Sequence, residues 1–414
     1  MFNSSPKFQR QVKSRMWKRW QLFHATDFQS LLYPCFVFSS IFGVFPYKIN
    51  GSIFEPSRSR YILLIIIVCV TCVYELTKIY EVNILNNTKR ITEKIQDNFF
   101  FTLASFTIIA SSIVSGSRMR VLQTILKVSS KLPPKSFKKL SKLIHTKDIF
   151  ILFYLVGQSV ASLVHFHESN ELFFATAVME HYISLQILQL NMLYVNCVFI
   201  LKACFKRIDD NLMILREFVI KDKSHIPRLI YYHQRNPLLL EELKALRKEH
   251  LMVSNTVQML NKIFSPQLLA SFAIAFIEIT FEIYFNTVQW KNGLSISLTK
   301  QVHNSFIISY LTYHILKVLI IIWSCEAGKN QAIKISTTVH DVLNSTSDKN
   351  IKYELHLFSL QILHSNNIFS TKCLTVDATF LTAMVGTVTT YLLILIQFLV
   401  SSHSCNGKIT KNVI

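Results

Sequence analysis

Long runs of apolar residues recur along the chain, separated by shorter polar stretches. A helix that crosses a lipid bilayer needs about twenty mostly apolar residues. The pattern therefore predicts an all-α, polytopic membrane protein with seven transmembrane helices. The predicted spans cover approximately residues 61–80, 99–116, 149–166, 172–201, 265–287, 304–325 and 375–401.

An eighth apolar run, residues 31–47, is shorter than the others. It contains Pro34, Gly43 and Pro46, and basic residues lie on both sides of it. Counting it as a full span would place the basic N-terminal arm outside the cell, against the tendency of basic segments to stay inside. We therefore expect a short re-entrant segment, which enters the membrane and returns to the same side.

The distribution of basic residues orients the predicted spans, because lysine and arginine accumulate in cytoplasmic loops. The loop 117–148 contains nine basic residues and one acid, Asp148, which marks it as cytoplasmic. Alternation then gives a cytoplasmic N-terminus, and we expect no cleaved signal peptide in the basic first thirty residues. The predicted order is a cytoplasmic arm with the re-entrant segment (1–60), four transmembrane helices (61–201), a cytoplasmic helical anchor (202–264), the fifth and sixth transmembrane helices (265–325), a cytoplasmic anchor helix (326–374), the last transmembrane helix (375–401) and an extracellular tail (402–414).

Composition agrees with a membrane protein. Hydrophobic residues make up 50% of the chain and charged residues only 16%, compared with roughly 25% charged residues in soluble domains. The formal net charge is +20, but the basic residues fall between the apolar runs and not along one face. We therefore expect membrane lipid around the protein and no nucleic-acid partner.

Apolar residues recur at alternating spacings of three and four in the segment before the fifth span. Asn236 is the predicted N-cap of this helix, and Pro237 its first residue. The seam packs either against other subunits below the membrane or against its own subunit. Its residues are Leu243, Leu246, His250, Val253, Val257, Leu260 and Phe264, and a second predicted cytoplasmic helix carries Leu355, Phe358, Ile362 and Leu363 on one side.

The last span has two unlike faces when it is drawn as a helix. One stripe is aliphatic and contains Leu381, Val385, Val388, Leu392, Leu395 and Leu399. The opposite stripe is small or polar apart from Ile394, and contains Ala383, Thr387, Thr390, Ile394, Gln397 and Ser401. Polar residues inside a membrane face a cavity or a neighbouring helix. The stripe therefore indicates either a pore or a close helix contact.

The sequence TYLLILIQF, residues 390–398, resembles the pattern Thr-Tyr, five hydrophobic residues, Gln-Phe that marks the last span of insect gustatory receptors. The chain is also similar to that family in its length, its seven spans, GVFPY at 43–47 and the run that begins FSPQLL at 264. The resemblance implies a homo- or hetero-tetrameric ligand-gated cation channel related to insect odorant receptors, in the plasma membrane of chemosensory neurons. It implies a pore lined by the last helix, with permeating cations.

The resemblance also assigns roles within that helix. Gln397 and Phe398 lie near the narrow extracellular end of the pore, where glutamine amides face a partly dehydrated cation and apolar residues close the path by dewetting. Ile394 belongs to the same pore or gate set. Thr390 and Tyr391 complete the set and hold the helix in register.

The resemblance implies that a small-molecule tastant binds in the outer half of the helix bundle. Ionisable and polar residues there are the candidates, because such groups are costly inside a membrane. Leu392 stands where the main sugar receptors carry glutamate, so we favour bitter or other lipophilic ligands. The candidate ligand-binding residues are Gln158, Glu180, His181, Glu278, Glu282, Tyr310, Tyr313 and His314.

Other function classes find little support in the pattern. Cys69 and Cys72 have C-x-x-C spacing inside an apolar run, where cysteines pack as small hydrophobic residues. We therefore predict no catalytic residue, metal or cofactor, and a protein that is not an enzyme. A membrane transporter, which usually has internal repeats, and a non-channel seven-helix chemoreceptor are the alternatives.

The predicted topology can be tested by glycosylation. Four sequons occur, at Asn3, Asn50, Asn86 and Asn344, and only Asn86 falls in a loop assigned to the outside. We predict that any N-linked glycan is attached to Asn86, so that Asn86→Gln abolishes a glycosidase-sensitive gel shift. A shift that depends on Asn50 or Asn344 instead would overturn the topology.

Overall fold

The computed structural model describes residues 22–50, 53–85, 90–166, 171–223, 229–291, 298–371 and 374–409. The predicted arm before residue 22, the Asn86 sequon and most of the 167–171 loop lie outside these ranges. The described chain is mostly helical. Its elements are α1 (Phe28–Ile41), β1 (Tyr47–Asn50), β2 (Ile53–Pro56), α2 (Arg58–Tyr80), α3 (Ile91–Ile113), α4 (Ser115–Ser129), α5 (Pro134–Phe166), α6 (Glu171–Lys223), α7 (Leu229–Lys291), α8 (Leu298–Ser345), α9 (Lys349–His364) and α10 (Ala378–Ile409).

Seven membrane-capable segments are present, as the apolar pattern predicts. Among the described residues, α2, α5, α6, α7, α8 and α10 are each long and apolar enough to cross a bilayer. The pair α3 and α4, bent by 63° at Val114, supplies the seventh. The all-α, seven-helix prediction is therefore confirmed, while the sidedness of the termini stays a prediction.

The helices are longer than the predicted spans. Helix α7 runs from Leu229 through Pro237 and Pro266 without a break, so the predicted start at Asn236 and Pro237 is wrong. A proline removes one backbone hydrogen bond, and a helix of this length keeps the others. The fifth span continues far into the anchor segment, as the sequence predicts.

The run predicted as re-entrant forms a short helix followed by a hairpin. Helix α1 has 14 residues, too few to cross a bilayer. It ends at a turn in which Gly43 has a φ of +71°, and β1 then pairs antiparallel with β2. Phe36 stacks on Phe45 with ring centroids 4.8 Å apart, and Phe54 meets Phe36 edge-on at 5.7 Å. Aromatic packing thus fastens the hairpin to α1.

Helix α1 is also fixed to α6 by hydrogen bonds to its backbone. The Gln189 side chain donates to the Cys35 carbonyl at 2.9 Å and to the Ser39 hydroxyl at 3.0 Å. Gln186 donates to the Phe42 carbonyl at 2.9 Å, beyond the end of α1. The bond to Phe42 supplies a donor to a carbonyl that the helix end leaves without an intrahelical partner.

The apolar seam of α7 is filled from within the chain. Each of its seven residues is buried, and all of the six apolar ones belong to the main core together with residues of α6, α8 and α9. Of the two interpretations of the seam, packing against its own subunit is therefore the correct one. A heptad pattern indicates a buried face but does not identify the helix that covers it.

The buried face of α9 is shifted from the predicted one. Ile351, Leu355 and Phe358 are buried and Ile362 packs against them, whereas Leu363 is 80% exposed. Residues at spacings of three and four lie on one side of a helix, and Leu363 is one position out of that series. The prediction was wrong for Leu363.

Buried carboxylates in the anchor segment are paired with basic side chains. Glu249 accepts two hydrogen bonds from Arg207, at 2.7 and 3.0 Å, and pairs with Lys131 at 3.3 Å. Asp209 accepts from the Thr338 hydroxyl at 2.6 Å and lies 3.0 Å from Lys334. Since a buried charge is costly without a partner, these pairs fix the relative positions of α6, α7 and α8.

The linker between α9 and α10 rests on α7 and α8. Phe369 is buried against Gly328, and the Asn261 side chain donates to the Ile368 carbonyl at 2.7 Å. Asp377 accepts from the Phe380 backbone N–H at 3.2 Å and pairs with Lys329 at 3.3 Å. The start of the last helix is therefore held by α8.

Gly328 allows this close approach, and its replacement tests the packing. A Cβ at position 328 would lie 2.5 Å from Phe369 Cε2, so Gly328→Ala is expected to destabilise the protein by about 1–3 kcal/mol through overpacking. Gly157→Ala is the matched control, because nothing lies within 4 Å of its added Cβ. It is expected to be neutral or stabilising by roughly 0.5–1 kcal/mol.

Thermal unfolding of the two variants in detergent or nanodiscs measures the difference. Equal melting temperatures for Gly328→Ala and Gly157→Ala would show that Phe369 moves aside without loss.

Candidate functional site

The last helix, α10, packs on the chain with only one side. Phe380 lies 4.9 Å from Phe272 and Tyr391 lies 5.8 Å from Phe276, between ring centroids. The aliphatic stripe follows this side: Val388 is buried, and Leu381, Leu392, Leu395 and Leu399 are half-buried. Val385 departs from the stripe, since it is 59% exposed.

The small and polar stripe of α10 is uncovered. All six of its residues, Ala383, Thr387, Thr390, Ile394, Gln397 and Ser401, are exposed, and no described residue of the same chain buries them. The predicted gate residues Tyr391 and Phe398 are exposed as well, Phe398 by 71%. A close contact within one chain is therefore excluded for this stripe. A pore and a contact with a neighbouring subunit remain.

The threonines of the stripe have already used their hydroxyl protons inside the helix. Thr387 donates to the Ala383 carbonyl at 2.7 Å, and Thr390 donates to the Gly386 carbonyl at 2.9 Å. Such bonds leave only acceptor oxygens on the outer surface. The exposed amide of Gln397 lies about two helical turns beyond Thr390 and offers both a donor and an acceptor.

Four of the predicted ligand residues lie near one another where α6, α7 and α8 meet. Glu278 on α7 is buried and accepts a hydrogen bond from the Tyr310 hydroxyl of α8 at 3.3 Å. Glu282 lies one helical turn further along α7 and is half-buried. Glu180 of α6 lies within electrostatic reach of Tyr310. These residues therefore form a cluster across α6, α7 and α8, and their role in ligand binding stays a prediction.

A residue that sequence reasoning missed completes this cluster. Gln96 of α3 donates to Glu278 at 2.7 Å, the shortest hydrogen bond to that carboxylate in the described chain. Gln96 was assigned to an outer loop because the apolar run begins only near Phe99. The helix starts earlier, at Ile91, and polar first turns of a helix carry no apolar signal.

A second group lies further along α8. The His314 ring is between the rings of Tyr310, at 4.7 Å, and Tyr313, at 5.0 Å. Lys317 is only 2% exposed, and its ammonium lies 5.4 Å from the Tyr313 ring centroid. Lys317 was not among the predicted residues. The sequence nevertheless indicates this residue, because Lys317 is a single charge in the apolar run HILKVLIII.

The remaining predicted ligand residues do not contact these groups in the described chain. Gln158 of α5 is buried, and both polar atoms of its amide lack a hydrogen-bond partner there. His181 of α6 is half-buried. Across the described ranges, no group of three or more His, Cys, Asp and Glu side chains is arranged to hold a metal ion.

Comparison with known proteins identifies the family. A family model described as 7tm Chemosensory receptor matches residues 32–400, most of the chain. The protein belongs to this chemosensory receptor family. The resemblance to insect gustatory receptors that TYLLILIQF carries is thereby confirmed, and relatives within that group agree.

Two such relatives come from Drosophila melanogaster. Putative gustatory receptor 28b is 32% identical over 163 residues, which are 38% of this chain and 34% of that relative. Putative gustatory receptor 28a is 27% identical over 165 residues, 39% of this chain and 36% of that relative. The matched stretches thus span about a third of each relative's length.

Solved structures support the same fold. The insect olfactory receptor OR5 from Machilis hrabei has a TM-score of 0.66 at 13% identity, over 89% of this chain and 98% of that one. The same receptor in complex with eugenol has a TM-score of 0.63 at 13% identity, with equal coverage. This multi-pass chemosensory receptor therefore has the insect olfactory-receptor fold, while its ligand and pore residues stay predictions.

The contrast between Gln96 and Gln158 gives a test of the cluster. Gln96→Leu removes the main donor to a buried carboxylate and is expected to destabilise the protein by about 1–3 kcal/mol. Gln158→Leu removes an amide without partners, so we expect no loss of stability or a gain. Melting temperatures of the purified variants measure both effects, and a larger loss for Gln158→Leu would contradict the arrangement.

Proposed function

We propose that this receptor is an insect taste receptor and works as a tetrameric, ligand-gated, non-selective cation channel in the plasma membrane of chemosensory neurons. The observation that carries the proposal is the uncovered polar stripe of α10. Facing lipid, the Gln397 amide would lack hydrogen-bond partners, whereas the threonine hydroxyls donate within their own helix. Around a common axis, four copies of the stripe would enclose a water-filled path and remove that cost.

An exposed apolar surface below the membrane supports assembly. On α9, Tyr353, Leu360 and Leu363 are exposed by 67%, 53% and 80%. Large exposed apolar side chains grouped on one helix favour a protein partner. Since the α7 seam is filled by its own chain, this α9 surface is the proposed anchor between identical or different receptor subunits.

The proposed gate consists of Gln397, Phe398 and Ile394. Their exposure in one chain leaves them free to meet their counterparts at the axis, where glutamine oxygens would face cations and the two apolar residues would close the path by dewetting. Thr390 and Tyr391 would hold the helix in register, and the contact of Tyr391 with Phe276 supports that role.

The proposed tastant site is the cluster of α3, α6, α7 and α8. Helix α8 contacts both regions: its Tyr310 lies in this cluster, and its Lys329 pairs with Asp377 just before α10. A ligand that shifts α8 would therefore act directly on the helix that lines the pore. No described contact favours the alternatives, a transporter or a non-channel chemoreceptor, or catalysis by this cluster.

Replacing Gln397 tests the pore. Recordings from cells that express this chain alone, during application of a tastant panel, are expected to show ligand-dependent cation currents. Gln397→Ala removes one amide from every copy around the axis, so we expect altered monovalent-to-divalent permeability or a raised basal current. The measurement is the reversal potential under bi-ionic conditions.

The control is Leu395→Ala, on the packed side of α10. It is expected to lower surface expression and leave selectivity unchanged. If Gln397→Ala reaches the surface with wild-type selectivity, conductance and gating while Leu395→Ala changes them, the pore lies on the other face.

A further inference from the structure

Lys317 is a buried charge in the middle of an apolar helix segment. Its side chain is 2% exposed, and Ile315, Val318 and Ile320 surround it in the sequence. Burying an ammonium group in a membrane bundle is costly unless an anion or an acceptor compensates it. Such residues usually face the bundle interior and mark a binding site or pathway.

Lys317 has no paired carboxylate in the described chain. Its recorded contact is the Tyr313 ring, at 5.4 Å. The Glu278 carboxyl group is not paired with Lys317 and accepts hydrogen bonds from Gln96 and Tyr310 instead. The ammonium therefore keeps its three N–H donors available.

A second unused polar atom lies one helical turn away. His314 is 3% exposed, and among the described residues its Nδ1 has no hydrogen-bond partner. Positions 314 and 317 are three apart, so the two side chains lie on the same side of α8. A carboxylate beside these two groups would supply a hydrogen-bond acceptor to each of them.

The neighbourhood of Tyr313 is apolar. Tyr313 belongs to a buried cluster with Ile151, Leu155, Leu188 and Met192 from α5 and α6. An apolar ligand body would lie against this cluster while its acidic end reached Lys317. The combination of one cation with an aliphatic and aromatic wall is typical of sites for amphipathic small molecules.

We infer that Lys317 and His314 bind the carboxylate of an organic acid whose apolar part packs beside Tyr313. This inference rests on the proposed function and extends it, because it gives the second group on α8 a part in tastant binding and names the ligand class. It narrows the predicted preference for bitter or other lipophilic ligands to lipophilic acids. Lys317 would donate a charge-assisted hydrogen bond to the carboxylate, and His314 a second one.

The test is binding to the purified receptor in nanodiscs at neutral pH. The probes are the straight-chain carboxylates from butanoate to decanoate, and each has its methyl ester as a neutral control. Wild-type protein is expected to show a dose-dependent rise in melting temperature with the carboxylates, and a much smaller one with the esters. Absence of any rise with all carboxylates would overturn the inference.

Two substitutions at position 317 locate the effect. Lys317→Met keeps the unbranched stem and removes the charge, so carboxylate affinity is expected to fall by about tenfold or more. Ester affinity is expected to stay the same. Lys317→Arg keeps the charge and is expected to retain carboxylate binding. Equal carboxylate affinity in Lys317→Met and wild type would mean that the lysine has only a packing role.

His314→Phe is a second variant, which keeps an aromatic ring and removes the ring nitrogens. Carboxylate affinity is expected to fall several-fold, while ester affinity stays the same. Unchanged carboxylate affinity in this variant contradicts the inference even if Lys317→Met fails to fold.

Failure of the channel proposal is detected separately. Binding in nanodiscs needs no ion flow, so carboxylates that bind without opening a current would leave the site intact and overturn the channel. Currents evoked by neutral tastants, together with no carboxylate binding, would leave the channel intact and overturn the site.

Discussion

The burial of α6 at the centre of the molecule is the constraint on which the rest of the structure depends. The sequence LNMLYVNCVFIL, residues 190–201, is buried at every position. A helix that is apolar all round is stable only when other helices surround it. Its asparagines donate hydrogen bonds to those neighbours: Asn191 donates to Ser271 of α7 at 2.7 Å, and Asn196 donates to Asp148 of α5 at 2.8 Å. Packing around α6 therefore aligns α5, α7 and α8.

This alignment places distant parts of the receptor on single helices. Because α7 and α8 follow α6 from the outer cluster into the anchor segment, each runs unbroken over both regions. Tyr310 near one end of α8 contacts Glu278, whereas Gly328 and Lys329 nearer the other end hold Phe369 and Asp377. A packed helix transmits a displacement with little loss, since protein interiors are nearly incompressible. The linker to α10 thus lies on the same rigid element as the proposed ligand site.

Sequence alone predicted the features that depend on hydrophobicity along one helix. The seven spans, the two faces of α10 and the family motif at 390–398 needed no tertiary information. Contacts between helices were harder to predict from the sequence. The apolar seam of α7 was predicted to be buried, but the helices that cover it were not identified. Leu363 was placed on the wrong side of α9. Gln96 was missed because the polar start of α3 has the composition of a loop. Lys317 was visible as a lone charge, but only its burial without a paired carboxylate gave it meaning.

A single chain exposes two surfaces that do not suit their surroundings: one is polar and lies in the membrane segment, and the other is apolar and lies in the anchor segment. In the membrane segment α10 exposes Gln397, although hydrocarbon cannot hydrogen-bond to its amide. In the anchor segment α9 exposes Leu360 and Leu363, although water solvates them poorly. The linker 365–377 connects the two helices, so a neighbouring copy that covers one surface is brought close to the other. Self-association would therefore remove both costs at once, and this joint relief favours an oligomeric channel over a monomeric receptor.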